Sequence, residues 1–284
     1  MKSIFSIDVE DWFHILDVKS VAPFSEWDSI PSRVERNFIK LLDIFSENKT
    51  LTTCFFLGWI AEKYPDLVKE AYERGHEIAS HGYKHDLIYN LTPGEFYQDA
   101  VKTKDILENI ISDEIIGYRA AGFSNTENTP WFFDKLIEAG YKYDSSLFPM
   151  PRHHGGMKSS QLAPFKYCND FIEFPISLVK TISGYKCFFG GGYIRHNHYF
   201  VIKNKAYKVL NDNRPVIFYV HPREIDPKHP RLKMNLVRYI KSYGYLNTTE
   251  IKIKKILKDF KMTTFKAFIS ENCNYFNQGE INDI

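Results

Sequence analysis

LTTCFFLGWIAEKYPDLVKEAYERGHEIASHG, residues 51–82, reads as a strand, a helix and a second strand. LTTCFFLG is an apolar run of strand length, rich in threonine and aromatic residues. Residues 60–74 have helical spacing and end at Gly75, a residue suited to the turn that follows a helix. HEIASHG then returns to a strand pattern. Two strands joined by a crossover helix predict parallel neighbours in one sheet.

The same alternation extends in both directions. SIFSIDVE (3–10) is β-prone and ends in acids, and RVERNFIKLLDIFSE (33–47) sets Val34, Phe38, Leu41, Leu42 and Phe45 at helical spacing. Downstream, Thr92, Pro93 and Glu95 form an N-cap, first-turn proline and capping box for a helix over 93–111. EIIGYRAAG (114–122) is a strand, and TPWFFDKLIEAG (129–140) repeats the helix device with Thr129 as cap and Gly140 as stop. YKYDSSL (141–147) is a short strand, and 149–170 is a long loop rich in Pro, Gly and Ser. FIEFPIS (171–177) and PVIFYVHP (215–222) are strands. Two helices follow, the last with Asn247 and Glu250 as cap and box, and MTTFKAFI (262–269) reads as a final strand. This order predicts an α/β fold on a parallel sheet, open or closed into a barrel. Without a linker or repeat, residues 1–270 are expected to form a single domain and 271–284 a polar tail.

Composition removes several function classes. The 284 residues carry 37 basic and 35 acidic side chains, a net charge of +2, which gives no argument for nucleic acid or an anionic membrane. The four cysteines have no CxxC spacing, so no zinc knuckle or redox motif is expected. No apolar run of about 20 residues exists, so no membrane span is expected. The start, MKSIFSIDVEDWF, lacks signal-peptide character, which sets a cytoplasmic expectation or one at the inner membrane face. Aromatic residues reach 16%, enough for a large core or for rings that stack on sugars.

In parallel α/β sheets, ligands bind beyond the carboxyl ends of the strands. Those ends carry Asp8, Glu10 and Asp11, then His81 and His85, then Arg119, then Asp144 and Ser145, then His221. A carboxylate with two imidazoles suits a divalent metal such as Zn, Co, Fe or Ni, with Mn less favoured. Such a metal polarises a carbonyl and acidifies a bound water. A second carboxylate takes the water's proton, a histidine protonates the leaving group, and Arg119 orients the base.

These residues carry a family resemblance. SIDVEDW (6–12), HGYKH (81–85), GYRAAGFS (117–124), YDSSLFP (143–149) and FYVHP (218–222) follow the motif order of the polysaccharide deacetylases of the NodB-homology type, carbohydrate esterase family 4. The DVEDW start and GGGYIR (190–195) look closest to one branch, some of whose relatives belong to exopolysaccharide systems. The resemblance implies a distorted (β/α)7 barrel. It also implies metal-dependent removal of acetyl from an N-acetylated amino sugar in a glycan. It implies Asp11, His81 and His85 as metal ligands, with Zn the expected metal and Co, Ni, Fe or Mn as alternatives. It implies Asp8 or Glu10 as the base, Arg119 as its holder and His221 as the acid. An Asp-x-Asp alignment instead makes Asp8 the base and Glu10 the ligand, and period two puts both on one strand face. Trp12, Phe13, Tyr83 and Tyr193 are expected to stack on sugar rings, and Asp144 to lie at the substrate.

The chain departs from the family pattern at Gly82, where Ser or Thr is usual, and at Ala120–Gly122, where a proline and glycine are usual. Related proteins hydrolyse cyclic amides, and a non-catalytic sugar binder would lack a catalytic residue. No certain loss is seen among the five motifs.

Overall fold

Strands and helices alternate in the computed structural model, which describes residues 1–16, 18–168 and 170–278. The first half runs β1 (Ser3–Val9), α1 (Val34–Glu47), β2 (Thr53–Phe56), α2 (Gly58–Lys63), α3 (Pro65–Glu73), β3 (Glu77–Ser80), α4 (Pro93–Ile111), β4 (Gly117–Tyr118), α5 (Phe132–Glu138) and β5 (Tyr143–Asp144). The second half has β6 (Phe165–Lys166), β7 (Ile172–Glu173), the hairpin β8 (Leu178–Thr181) with β9 (Gly184–Cys187), α6 (Gly191–His196), α7 (Tyr199–Asn211) and β10 (Ile217–Val220). It ends with α8 (Leu236–Tyr243), α9 (Thr249–Asp259), β11 (Met262–Thr263) and α10 (Phe265–Glu271).

The main sheet has the order β10-β1-β2-β3-β4-β5-β7-β6. Every pair from β10 to β7 is parallel, and β6 adds an antiparallel edge. This is the expected α/β architecture, a parallel sheet curled into a half-barrel. The main-chain ladder does not join β7 to β10. Pro175 follows β7 without an N–H to offer. Ser177 bridges the gap with its side chain: the hydroxyl accepts from Ile217 N at 2.9 Å and donates to Pro215 O at 3.2 Å.

β1 is buried along its whole length, as a central strand covered on both faces must be. α1 turns Val34, Phe38, Leu41, Leu42 and Phe45 onto the sheet, the stripe read from the sequence. Each such side chain, fully buried, stabilises by roughly 1.5–3 kcal/mol. The Thr92 capping box forms as expected, with Glu95 N donating to Thr92 Oγ1 and Thr92 N to Glu95 Oε2.

Four local expectations need correction. The helix expected over 60–74 is two, because Pro65 cannot donate into the preceding turn and starts α3 instead. Thr129 does not cap α5, which begins three residues later at Phe132; its hydroxyl instead accepts from Thr126 N. α9 has no side-chain cap from Asn247, and Glu250 pairs with Lys40 at 2.6 Å. MTTFKAFI holds only the two-residue β11 before Thr264 caps α10. In the segment expected as a polar tail, Phe276 is buried against Phe174 and Phe268, with ring centroids 6.0 and 6.3 Å away. Residues 279–284 of that tail lie outside the described residues. Among the described residues no helix is long and apolar enough to cross a membrane.

Candidate active site

The chain turns sharply after β1, with Glu10 N donating to Asp8 O at 3.0 Å. Asp8 and Glu10 face the same cleft at the carboxyl end of the sheet. β3 delivers His81 directly, and a tight turn brings back His85, whose φ of 60° is in the left-handed region. Gly82 inside that turn has φ +72°, and a Cβ there would lie 3.0 Å from Asp99 Oδ1. The backbone therefore demands glycine where the family usually carries a hydroxyl residue.

Glu10 Oε1 lies 3.2 Å from His81 Nε2 and 3.0 Å from His85 Nε2. All three residues are buried, and their ligand atoms fall within 4.8 Å of one another. His81 Nδ1 is 2.8 Å from Arg119 O. A carbonyl only accepts, so Nδ1 carries the hydrogen and Nε2 of the neutral ring is a bare lone pair. His85 Nε2 is buried and makes no well-formed hydrogen bond. Two buried imidazole nitrogens, one of them with no hydrogen to donate, converge on one carboxylate oxygen, and this donor set could hold a divalent metal. Burial alone would raise the Glu10 carboxyl. The imidazoles of His85, His221 and His81 gathered around it outweigh that and hold the carboxyl well below its ordinary range.

Asp11, the expected third ligand, is not in this group. Its carboxylate accepts from Trp12 N at 2.7 Å, Ser32 Oγ at 2.5 Å, Arg33 N at 3.0 Å and Val34 N at 3.3 Å. It satisfies the free N–H groups at the start of α1, which lacks a cap from Arg33 itself. Burial pushes the Asp11 carboxyl up, against those hydrogen bonds.

Arg119 is fully buried beneath the cleft, its guanidinium 4.1 Å over the Phe55 ring. Nη1 donates to Asp8 Oδ1 and to Ser6 Oγ, each at 2.7 Å, and Nη2 to Ser145 Oγ at 3.0 Å. This bond fixes one Asp8 oxygen and leaves Oδ2 facing His221 Nε2 at 3.8 Å. His221 Nε2 is also 3.6 Å from Glu10 Oε1. On its other side, Nδ1 is 3.6 Å from Glu224 Oε1, and Glu224 forms a buried ion pair with Arg195 at 2.5 Å. Burial lowers the His221 imidazole, but the carboxylates of Glu10 and Glu224 raise it above its usual value. Gly191 makes room for this pairing: a Cβ there would sit 1.4 Å from Glu224 Oε2.

Of the residues expected at the substrate, Tyr193 lines the cleft. Trp12 does not; it is buried with its indole donating to Pro31 O at 3.1 Å. Phe13 is also buried, packed edge-on to Trp59 at 6.1 Å. Tyr83 is buried with its hydroxyl donating to Glu62 at 2.5 Å. Asp144 is buried away from the cleft, accepting from Ser146 N and Oγ, and burial pushes its carboxyl up to about 6. His14, Arg195 and Glu224 line the cleft without having been read from the sequence. His14 Nδ1 accepts from Asp11 N at 3.1 Å, so its hydrogen is on Nε2, a buried atom without a protein partner. A readable signal for Glu224 existed: His-Pro-x-Glu at 221–224 is a cap, first-turn proline and box. The cleft has a volume of about 200 Å³.

Residues 24–143 match the polysaccharide deacetylase family, and residues 145–270 match a domain of unknown function (DUF3473). The chain is similar to the polysaccharide deacetylase family over residues 24–143. Its sequence is similar to a peptidoglycan-N-acetylglucosamine deacetylase of Bacillus cereus, 34% identical over 71 residues, which is 25% of this chain and 26% of that protein. It is also similar to a peptidoglycan deacetylase of Helicobacter pylori, 28% identical over 110 residues, 38% of this chain and 36% of that protein. These matches span about a quarter and a third of the two relatives' lengths, 26% and 36%. The fold is similar to a crystal structure from Mycobacterium smegmatis assigned as a polysaccharide deacetylase, with TM-score 0.62 and 18% identity over 99% of this chain and 93% of that one. The family match holds His81, His85 and Arg119, whereas Asp8 on β1, Glu10 just after it and His221 after β10 lie outside it.

Proposed function

We propose that this chain is a metal-dependent deacetylase that removes acetyl from an N-acetylated amino sugar of a glycan. Glu10, His81 and His85 hold the metal, with Zn first among the candidates and Co, Ni, Fe or Mn as alternatives. The observation that carries the reading is the convergence of two buried imidazole nitrogens on one carboxylate oxygen. A divalent cation held there supplies Lewis acidity to the acetyl carbonyl and lowers the pKa of water.

The protein's own groups do the rest. Asp8, fixed by Arg119 through one oxygen, takes a proton from the attacking water through the other. The water oxygen bonds to the amide carbon, and the C–N bond breaks. His221 gives its proton to the departing amine, so acetate and a free amino sugar leave. Glu224 steadies His221 from behind, and its own carboxyl is held near 2: burial would raise it, but Arg195 and His221 more than compensate. Tyr193 offers a ring at the cleft wall for a sugar face.

Acetate release from chitin oligomers and from peptidoglycan fragments tests the reading. Activity is expected to vanish with a chelator and return with zinc, and His81→Ala is expected to be inactive. Undiminished activity in the chelated protein or in His81→Ala would overturn it.

A further inference from the structure

Residues 227–249, PKHPRLKMNLVRYIKSYGYLNTT, contain no acid and five basic residues, Lys228, Arg231, Lys233, Arg238 and Lys241. The whole-chain charge of +2 conceals this local excess. α8 lies in its middle, capped by Asn235, whose side chain accepts from Arg238 N at 2.9 Å. One side of the segment is anchored. Tyr243 and Leu246 are buried in a small core with Ile15 and Val18, and the Tyr243 hydroxyl accepts from Leu232 N at 2.8 Å. The other side is bare: Leu236 is 72% exposed, Val237 64%, Ile240 51% and nearby Tyr245 60%. Lys228, Arg231, Lys233 and Lys241 are exposed, and none forms an ion pair with a described residue.

An apolar stripe collared by cations on a rigidly held helix is the pattern of an element that lies in a membrane interface. α8 is roughly 12 Å long, enough to rest among headgroups and far too short to span. A second copy of the chain would bring the same cations against themselves, whereas anionic headgroups complement them. We propose that α8 and its flanks dock on an anionic lipid surface. Leu236, Val237 and Ile240 enter the headgroup–acyl boundary, and Lys228, Arg231, Lys233 and Lys241 meet lipid phosphates. Arg238, Lys241 and Ser242 of the same segment line the cleft, so docking brings the cleft to the membrane. This proposal does not depend on the reaction assigned to the cleft.

The test is sedimentation of the whole protein with vesicles of phosphatidylglycerol and phosphatidylcholine, and with phosphatidylcholine alone. Binding is expected to the anionic vesicles, at least about tenfold weaker to the neutral ones, and falling with added salt. The pairs Leu236→Asp/Ile240→Asp and Lys228→Glu/Lys233→Glu should each weaken binding at least about tenfold. Both pairs alter exposed side chains, so the thermal midpoint is expected to stay in place. Absence of binding to anionic vesicles, or binding unchanged by either pair, overturns the proposal. So does light scattering that finds a dimer which only Leu236→Asp/Ile240→Asp dissolves, in protein that ignores vesicles.

Discussion

Asp11→Ala separates the two neighbouring acids by their consequences. The substitution removes an acceptor used by Trp12 N, Ser32 Oγ, Arg33 N and Val34 N. A hydrogen bond to a charged acceptor contributes about 1.5–3 kcal/mol, and a lost helix cap about 1 kcal/mol. The four bonds share one carboxylate, so their values do not add, and a net loss of about 3 kcal/mol is expected. Unfolding entropy for a chain of this size is about 0.6 kcal/mol per kelvin, which converts that loss to a fall of about 5 °C in the melting midpoint. Calorimetric unfolding of the metal-free protein reads this directly. Zinc titration of the same sample should find affinity within about threefold of the parent, because Asp11 lies outside the Glu10–His81–His85 group. Glu10→Gln should behave in the opposite way, losing zinc affinity by on the order of 100-fold or more, since even outer-shell changes reach 10–100-fold. If Asp11→Ala abolishes zinc binding and melts like the parent, the carboxylates have been read in the wrong order.

Arg119→Ala leaves Asp8 buried and unpaired, and urea unfolding should show a loss of about 3–5 kcal/mol that Lys at the same position fails to restore. Gly82→Ser, which recreates the usual family residue, should lower stability by about 1–2 kcal/mol in urea unfolding, because a side chain at φ +72° is strained and meets Asp99. Asp226 gives a pH signature. Burial would raise its carboxyl, but hydrogen bonds from Arg33, Arg36 and Asn37 bring it down to about 2. Its folded value is therefore depressed below the unfolded value of about 3.9, so its stabilisation is full above that value and is lost as pH falls through about 2. Asp226→Asn should flatten acid unfolding between about pH 4 and pH 2 by roughly 2 kcal/mol, and an unchanged profile would count against the pairing.

The alternation of strands and helices was legible because apolar spacing differs between period two and 3.6. Thr92 and Glu95 were legible because a capping box is closed within four residues. Thr129 and Asn247 were not, since a cap acts only where the helix starts, and packing moved those starts to Phe132 and Thr249. Asp8, Glu10, His81, His85 and His221, which line the cleft, were legible because a parallel sheet gathers its carboxyl ends at one place. Period two correctly grouped Asp8 with Glu10, whereas alignment by adjacency favoured Asp11, which a helix start 23 residues downstream recruits. Trp12, Phe13 and Tyr83 looked like sugar platforms, but ring chemistry does not say which way a ring turns. His14 went unread because its role depends on the turn that folds it back over Asp11.

The position of β1 has a consequence for how the protein is made. β1 sits between β2 and β10, with Ile4, Phe5, Ser6 and Ile7 paired to residues 217–220, which are made much later. A nascent chain that has completed residues 1–144 holds Glu10, His81 and His85, yet one edge of β1 still lacks its neighbour. Such an edge is a template for pairing with other chains. The two halves matched by different families are thus not separable modules, since a cut between them exposes β1 in one piece and strands β10 in the other. Premature termination before residue 217 should give aggregate rather than a small working enzyme.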